Sequence, residues 1–305
     1  MAESEVLSRI DGETLEKARR ELREDPDKRA EAVEELRTKI AEAKNDPEHG
    51  VVEFSRDDGP FLLRFLRARK FDVDRATLLY CNYYKFRHKY ADLLGDMHPR
   101  VVDHVLRSGL MGVTDLRRRD WSVAIQLCPA RWDSDTVPFT DNFKTMILLL
   151  EKLIEDEENQ VHGITILNNL LDVSFSTIVK LSQAEQTRKG VFLELFQDSF
   201  PGRFKGMHLV NQPWYVSLVL GIIRPFMKQK MRDRLFLHGA DYTSLYEHFD
   251  PELLPLSLGG SGSEFDIDCL TRIFRKELAE RPPNSQETDT TVQQESDIPI
   301  TDTTQ

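Results

Sequence analysis

The chain has 305 residues, 40% of them hydrophobic, which allows one large domain or two of moderate size with a real core. Its net charge is −11 and its pI lies near 5.3, which argues against general nucleic-acid binding, because that needs a basic domain rather than a basic patch. Cys81, Cys128 and Cys269 are far apart and lack CxxC or Cys/His spacing, so they read as reduced thiols of an intracellular protein, and no metal site is expected.

Residues 1–10 read as a flexible start, and MAESEVLSRIDGE has no apolar h-region, so no signal peptide is expected. Residues 11–45 are charged and helix-prone. Asp11 can cap a first helix running through Leu22, and the Asp25 to Asp27 segment starts a second. Their apolar residues are sparse (Leu15, Ala18, Leu22, Val33, Leu36, Ile40), which predicts surface helices. In DGPFLLRFLRARK (58–70), Leu62, Phe65, Leu66 and Arg69 share a helical stripe, while Arg64, Arg67 and Lys70 point elsewhere. One more helix, from about Asp74 to Tyr90, completes an N-terminal helical unit over residues 11–95.

The pattern then changes. Trp121 to Leu127 reads as a strand after a tight basic loop at Arg117 to Asp120, and Gly163 to Leu167, Gly206 to Val210 and Arg234 to Leu237 read as further strands. Helices are predicted at 141–155 and 176–196. Strands alternating with helices predict an α/β fold, a sheet covered by helices, over residues 96–280. The tail after Arg281 has five acidic residues and only Val292, Ile298 and Ile300 as aliphatics, so residues 281–305 read as a disordered acidic tail.

The most informative stretch is Gln197 to Gly239. Between Arg224 and Arg234 stand five Lys/Arg and one Asp, inside an acidic chain and beside a greasy helix. Local charge that opposes global charge, next to apolar residues, points to an anionic lipid surface. Tyr215, Leu218, Val219, Ile222, Ile223, Phe226 and Met227 fall on one helical face, and Pro225 predicts a kink. Such a helix can serve as a lid, although periodicity alone favours an ordinary core helix with a solvated basic end. The longest apolar run, Val216 to Ile223, is far short of the roughly 20 residues that span a bilayer.

RFLRARKFDVDRA (64–76), QDSFPGRFKGMHLVNQPW (197–214), IRPFMKQKMRDRLFLHG (223–239) and LPLSLGG (254–260) resemble the CRAL-TRIO lipid-binding family. The match covers about residues 11–268 and is strongest with the branch of the tocopherol-transfer protein, the retinaldehyde-binding protein and the clavesins. The resemblance implies a small all-helical N-terminal domain, a mixed five-stranded sheet lining an apolar pocket, and a mobile gate helix. It implies one bound hydrophobic molecule (tocopherol-, retinoid- or phospholipid-like), no other cofactor, no catalysis, and peripheral residence on endosomal or other intracellular membranes. A phosphoinositide headgroup would dock on Arg69, Arg203, Lys205, Arg224, Lys230 and Arg234. One basic position of the tocopherol proteins falls on Leu78. The pocket would include Phe143, Met146, Leu150, Ile164, Phe196, Phe200, Met207, Ile223, Phe226 and Met227.

Some positions depart from that branch. Hydroxyl residues of the tocopherol pocket fall on Met146 and Leu150, which makes this pocket drier. The retinoid protein's strand carboxylate falls on Asn168 and a pocket lysine on Arg188, and NNLLDVSF (168–175) lacks the usual aromatic. These differences point away from tocopherol and retinal as cargo. An enzyme reading finds little support. GGSGS lacks the GxSxG elbow, and no Walker or dinucleotide motif is present. His208 and His238 read as structural histidines, and Asp198 as a cap for backbone donors. The alternative is a phosphoinositide-reading trafficking adaptor that binds partner proteins through its N-terminal helices or acidic tail.

Overall fold

The computed structural model describes residues 8–44, 54–187 and 190–280. The expected acidic tail, most of the flexible start and Arg188 lie outside the described residues. Helix α1 (Gly12–Leu22) follows Asp11, and α2 (Arg29–Lys44) follows a turn whose Asp25 side chain accepts the Asp27 amide. Helix α3 (Gly59–Ala68) is started by the Asp58 carboxylate, which accepts the Phe61 amide at 3.1 Å, and by Pro60 in the first turn. Lys70 and Phe71 then adopt left-handed φ angles of 57° and 58°, which end the helix and turn the chain into α4 (Val73–Lys89). An aromatic cluster of Phe54, Phe61, Phe65, Tyr80, Tyr83 and Tyr84 binds α2, α3 and α4.

Five strands follow: β1 (Met111–Arg117), β2 (Val123–Leu127), β3 (Ile164–Asn169), β4 (Phe204–Val210) and β5 (Leu235–Gly239). They lie in the order 1-2-3-4-5; β1 pairs antiparallel with β2, and the others are parallel, so the sheet is mixed. Parallel neighbours in sequential order, joined by right-handed crossovers, put every crossover helix on one face. These helices are α5 (Phe139–Leu153) and α6 (Glu157–His162) before β3, α7 (Phe175–Thr187) before β4, and α8 (Trp214–Ile223) before β5. Strand alternation agrees: Ile125 and Ile164 pack with Phe143 and Leu150 of α5, while Ala124, Leu167 and Val210 face Leu245, Phe249 and Leu254 from the chain after β5. No helix among the described residues is long and apolar enough to cross a membrane.

Three local differences from the sequence reading have plain causes. Strand β1, an edge strand with weak alternation, was not anticipated. Trp121 takes a left-handed φ of 67° in the β1–β2 turn, so the strand begins at Val123 rather than Trp121. The helix expected over 176–196 divides: α7 ends at Thr187, Gly190 is left-handed with φ 78°, and a short helix at Val191–Glu194 runs into a π turn at Leu195–Ser199.

Behind the sheet, His208 and His238 form a stacked pair. Their rings are 9° from parallel, and His208 Nδ1 lies 3.0 Å from His238 Nε2. Ser244 Oγ lies 2.7 Å from His238 Nδ1, and Phe236 stacks on His208. Gly206 makes this possible, because a Cβ there would come within 2.7 Å of His208 Nε2. Burial first, then the nearby His248, lowers His208 to about 2 and His238 to about 4. The pair is neutral and structural.

Candidate functional site

A cavity of about 660 Å³ opens between α3, the β4–β5 edge and the chain after α8. Its floor is apolar: Ile166, Phe196, Phe200, Phe204, Met207 and Leu235, closed by Met227 and Met231. Its mouth is cationic. Arg69, Arg203, Lys205, Lys230 and Arg234 all line it, joined by Arg20, Lys70 and Lys228, against one carboxylate, Glu21. The left-handed pair Lys70–Phe71 is what turns Arg69 and Lys70 to this opening. Two non-glycine residues in that conformation are strained by roughly 1–3 kcal/mol each, and the surrounding packing of Phe71 against the aromatic cluster holds them there. Gly163, with φ 92°, lets the start of β3 pass 2.5 Å from the Arg203 carbonyl, measured from a notional Cβ, and so draws Arg203 to the rim.

The cations are crowded. Partial desolvation, then the charges of Arg234, Arg69, Lys70 and Arg203, lower Lys230 to about 8. Burial and the neighbouring Arg203 and Arg118 also push Arg234 below its ordinary value. Among the described residues no carboxylate forms an ion pair with Arg69, Lys70, Lys230 or Arg234. Arg203 and Lys205 do have acidic partners: Glu21 lies 2.9 Å from Arg203 and 3.6 Å from Lys205. Arg224 stands apart from the other five. It lies exposed in a separate shallow depression with Arg232 and Asp233. Leu78 is exposed on α4.

The expected pocket residues divide into three sets. Phe196, Phe200, Met207 and Met227 line the cavity. Phe143, Met146, Leu150 and Ile164 are buried in the core between α5 and the sheet. Ile223 packs half-buried against Leu209 and Val216, whereas Phe226 is 72% exposed. Asn168 is half-buried at the end of β3, and its Oδ1 has no hydrogen-bond partner among the described residues.

The greasy helix is α8. It continues through a 3-10 turn at Arg224–Phe226 that contains Pro225, as the proline predicts. Its apolar residues do not form one inward face. Tyr215, Val216, Val219, Leu220, Ile223 and Met227 pack inward, while Trp214, Leu218, Ile222 and Phe226, four residues apart, form an exposed stripe 60–76% open to solvent. Three contacts fasten the ends of this segment. Tyr215 Oη donates to the Val173 carbonyl at 2.5 Å. The Lys228 amide donates to Gln197 Oε1 at 2.5 Å, and its ammonium pairs with Asp198. Asp198 therefore pairs with the Lys228 side chain.

Sequence reasoning missed Glu21, Arg20, Lys70 and the pairing of Lys228 with Asp198, and no local signal marks them: their partners are distant in the chain. It also placed Arg67 on a face away from the apolar stripe. Arg67 is in fact fully buried, bonded to Glu24, Glu157, Gln160 and Ser8. No group of three or more His, Cys, Asp or Glu side chains able to hold a metal occurs among the described residues.

Comparison with known proteins agrees with this architecture. The CRAL/TRIO domain profile matches residues 112–260 and the CRAL/TRIO N-terminal domain profile matches residues 32–79. The chain is 39% identical over 252 residues to the alpha-tocopherol transfer protein-like protein of Mus musculus, covering 82% of this chain and 70% of that one. It is 36% identical over 265 residues to clavesin-1 of Xenopus laevis, covering 86% of this chain and 77% of that one. The solved structure of Sfh5 overlaps more loosely, with a TM-score of 0.42 at 12% identity over 74% of this chain and 85% of that one. The chain belongs to the CRAL/TRIO family of lipid-binding proteins.

Proposed function

We propose that this protein is a non-catalytic lipid carrier that holds one hydrophobic ligand in a gated pocket and docks on phosphoinositide-containing membranes through its cationic mouth. The observation that carries this reading is the cavity itself: an apolar floor, a rim of eight cations and a bordering greasy segment meet in one place. The floor suits an acyl or prenyl chain, which gains about 0.8 kcal/mol per methylene on leaving water. The rim suits a multiply charged headgroup: Arg69, Lys230 and Arg234 supply charge with no carboxylate partner, and Arg203 and Lys205 stand beside them. Arg224 would act on its own, from the outer end of α8, on the bilayer surface.

The exposed stripe of α8 supports membrane contact. Trp214, Leu218, Ile222 and Phe226 gain nothing from their position in water, but an interface accepts them. On the bilayer the Tyr215 and Lys228 fastenings would exchange for lipid contacts, and the segment would swing about Pro225 to admit or release cargo. Leu218→Glu with Ile222→Glu is therefore expected to leave the folded stability within about 1 kcal/mol, because both side chains are already exposed. It should lower vesicle affinity and interbilayer transfer of a fluorescent lipid by at least about tenfold, since burying each side chain contributes roughly 1.5–3 kcal/mol. Unchanged transfer by the folded variant would rule out this face as the contact.

A second reading is an adaptor for endosomal trafficking, in which the bound lipid is structural and the output is protein binding. It is favoured by the likeness to clavesins, which equals that to the tocopherol-transfer-like proteins within a few per cent identity. In that reading, placement on membranes would depend on the cations and not on cargo.

A further inference from the structure

Among the described residues, Glu21 is the one carboxylate lining a rim otherwise made of cations. It lies on α1, a helix that sequence alone assigns to the surface, and reaches across to Arg203 of the chain before β4, 182 residues away, with the Arg203 Nη2 donor 2.9 Å from its Oε2. Lys205 Nζ is 3.6 Å from the same oxygen, and Lys17 Nζ is 3.3 Å from Oε1. Partial burial alone would raise the carboxyl, but the Arg203 hydrogen bond and the charges of Lys205 and Lys17 outweigh it and hold it ionised, at about 2. Arg203 is thus occupied by an anion that the protein itself supplies, while Arg69, Lys230 and Arg234 are not. Lys205 differs from Arg203 in having a second acid, Asp120, also at 3.6 Å.

We infer that Glu21 is a built-in competitor for the anion seat, one that a second phosphate must displace from Arg203 and that thereby lowers what a second phosphate adds to binding. This rests on the phosphoinositide reading above. A headgroup with one phosphate can be held by Arg69, Lys230 and Arg234 without disturbing Glu21. A second phosphate gains Arg203 only if it out-competes a carboxylate that is tethered and always present. A dianionic phosphate does so more readily than a single-charged group, because its charge-assisted bonds to guanidinium are stronger and more numerous. Glu21 therefore acts against the second phosphate of a polyphosphorylated headgroup and leaves a headgroup with one phosphate almost untouched.

The seat can be tested without disturbing the fold. Helix α1 is held by other contacts: Ala18 and Leu22 are buried against Val161, and Lys17 donates to the Asp120 carbonyl at 3.0 Å. Glu21→Gln keeps an oxygen for Arg203 and removes the charge. Glu16→Gln makes the same change of net charge on the same helix, at an exposed carboxylate paired with Arg19. The probes are vesicles of neutral lipid carrying a bisphosphorylated phosphoinositide, a monophosphorylated phosphoinositide or phosphatidylserine, together with soluble inositol trisphosphate.

Glu21→Gln is expected to bind the bisphosphate vesicles about five- to tenfold more tightly than the wild type. It should stay within about twofold of wild type on monophosphate and phosphatidylserine vesicles, so that the preference for the bisphosphate widens, while Glu16→Gln stays within about twofold of wild type on all of them. The same gain with inositol trisphosphate assigns the competition to the phosphates alone; a gain confined to vesicles assigns it to the headgroup held in a bilayer. If Glu21→Gln and Glu16→Gln behave alike on every probe, Glu21 does not compete. That failure is distinguishable from failure of the underlying reading. Loss of binding in Lys230→Ala/Arg234→Ala, alongside equal Glu21→Gln and Glu16→Gln, overturns the competitor alone. No loss in the double variant overturns the seat and the competitor together.

Discussion

Replacing Arg67 with alanine is expected to destabilise the folded chain by about 3–5 kcal/mol, the usual cost of breaking a buried ion pair from one side. The Arg67 side chain is fully buried and every arm of its guanidinium is used. Nε and Nη2 donate to Glu24 at 3.0 and 2.9 Å, Nη1 donates to Glu157 at 2.9 Å and to Gln160 at 2.8 Å, and Nη2 also reaches Ser8 at 2.8 Å. Glu24 follows α1, Arg67 belongs to α3, and Glu157 and Gln160 belong to α6 beside the sheet. One side chain therefore fastens three parts of the chain. Truncating it leaves the Glu24 carboxylate, itself inaccessible to solvent, with Arg29 as its one remaining ion-pair partner among the described residues. Thermal unfolding should come earlier by about 5–9 °C for a chain of this size. Arg67→Lys, which keeps the charge but not the fork, should fall between wild type and alanine. Alanine and wild type melting within about 1 °C of each other would show that the network contributes no net stability.

The largest functional effect is expected from Lys230→Ala with Arg234→Ala. Each cation near an anionic leaflet contributes about 1 kcal/mol, so removing two should weaken binding to bisphosphate vesicles about thirtyfold at moderate salt. The gap should narrow as salt rises, because the lost attraction is screened. Lys230 adds a pH signature. Its pKa lies at about 8, so it is charged below that value and neutral above it. Wild-type binding should therefore weaken as pH rises from 7 to 9, and the double variant should lack that slope. Lys230 is exposed, and Arg234 gives up one bond to the Phe204 carbonyl, so folding should be little affected. Equal binding by wild type and double variant would remove these residues from the docking surface.

What was legible in the sequence was what local pattern controls. Short apolar runs bounded by turn residues gave four of the strands to within a few residues, and the stripe of Leu62, Phe65 and Leu66 marked α3. Of the cavity floor, the resemblance named Phe196, Phe200 and Met207 but not Ile166, Phe204 or Leu235. What was hidden depends on encounters between distant segments. Arg67 looks solvent-facing on a helical wheel, and only the arrival of Glu24 and Glu157, 43 and 90 residues away, makes its burial tolerable. Helix α8 is hydrophobic nearly all round, so periodicity could not say that Tyr215, Val219 and Ile223 face inward while Trp214, Leu218 and Ile222 face out. Strand β1 was missed because MGVTDLR mixes polar residues into an edge position, where one side needs no burial.

The account turns on whether the cavity is a loading site, and native mass spectrometry with lipid extraction, on protein purified from eukaryotic cells, tests that most directly. A single co-purifying lipid of defined mass, bound one to one and lost when Met207 or Leu235 on the cavity floor is replaced by aspartate in a folded variant, is the predicted result. Protein that emerges empty, or with an assortment of lipids unaffected by those substitutions, would contradict the carrier.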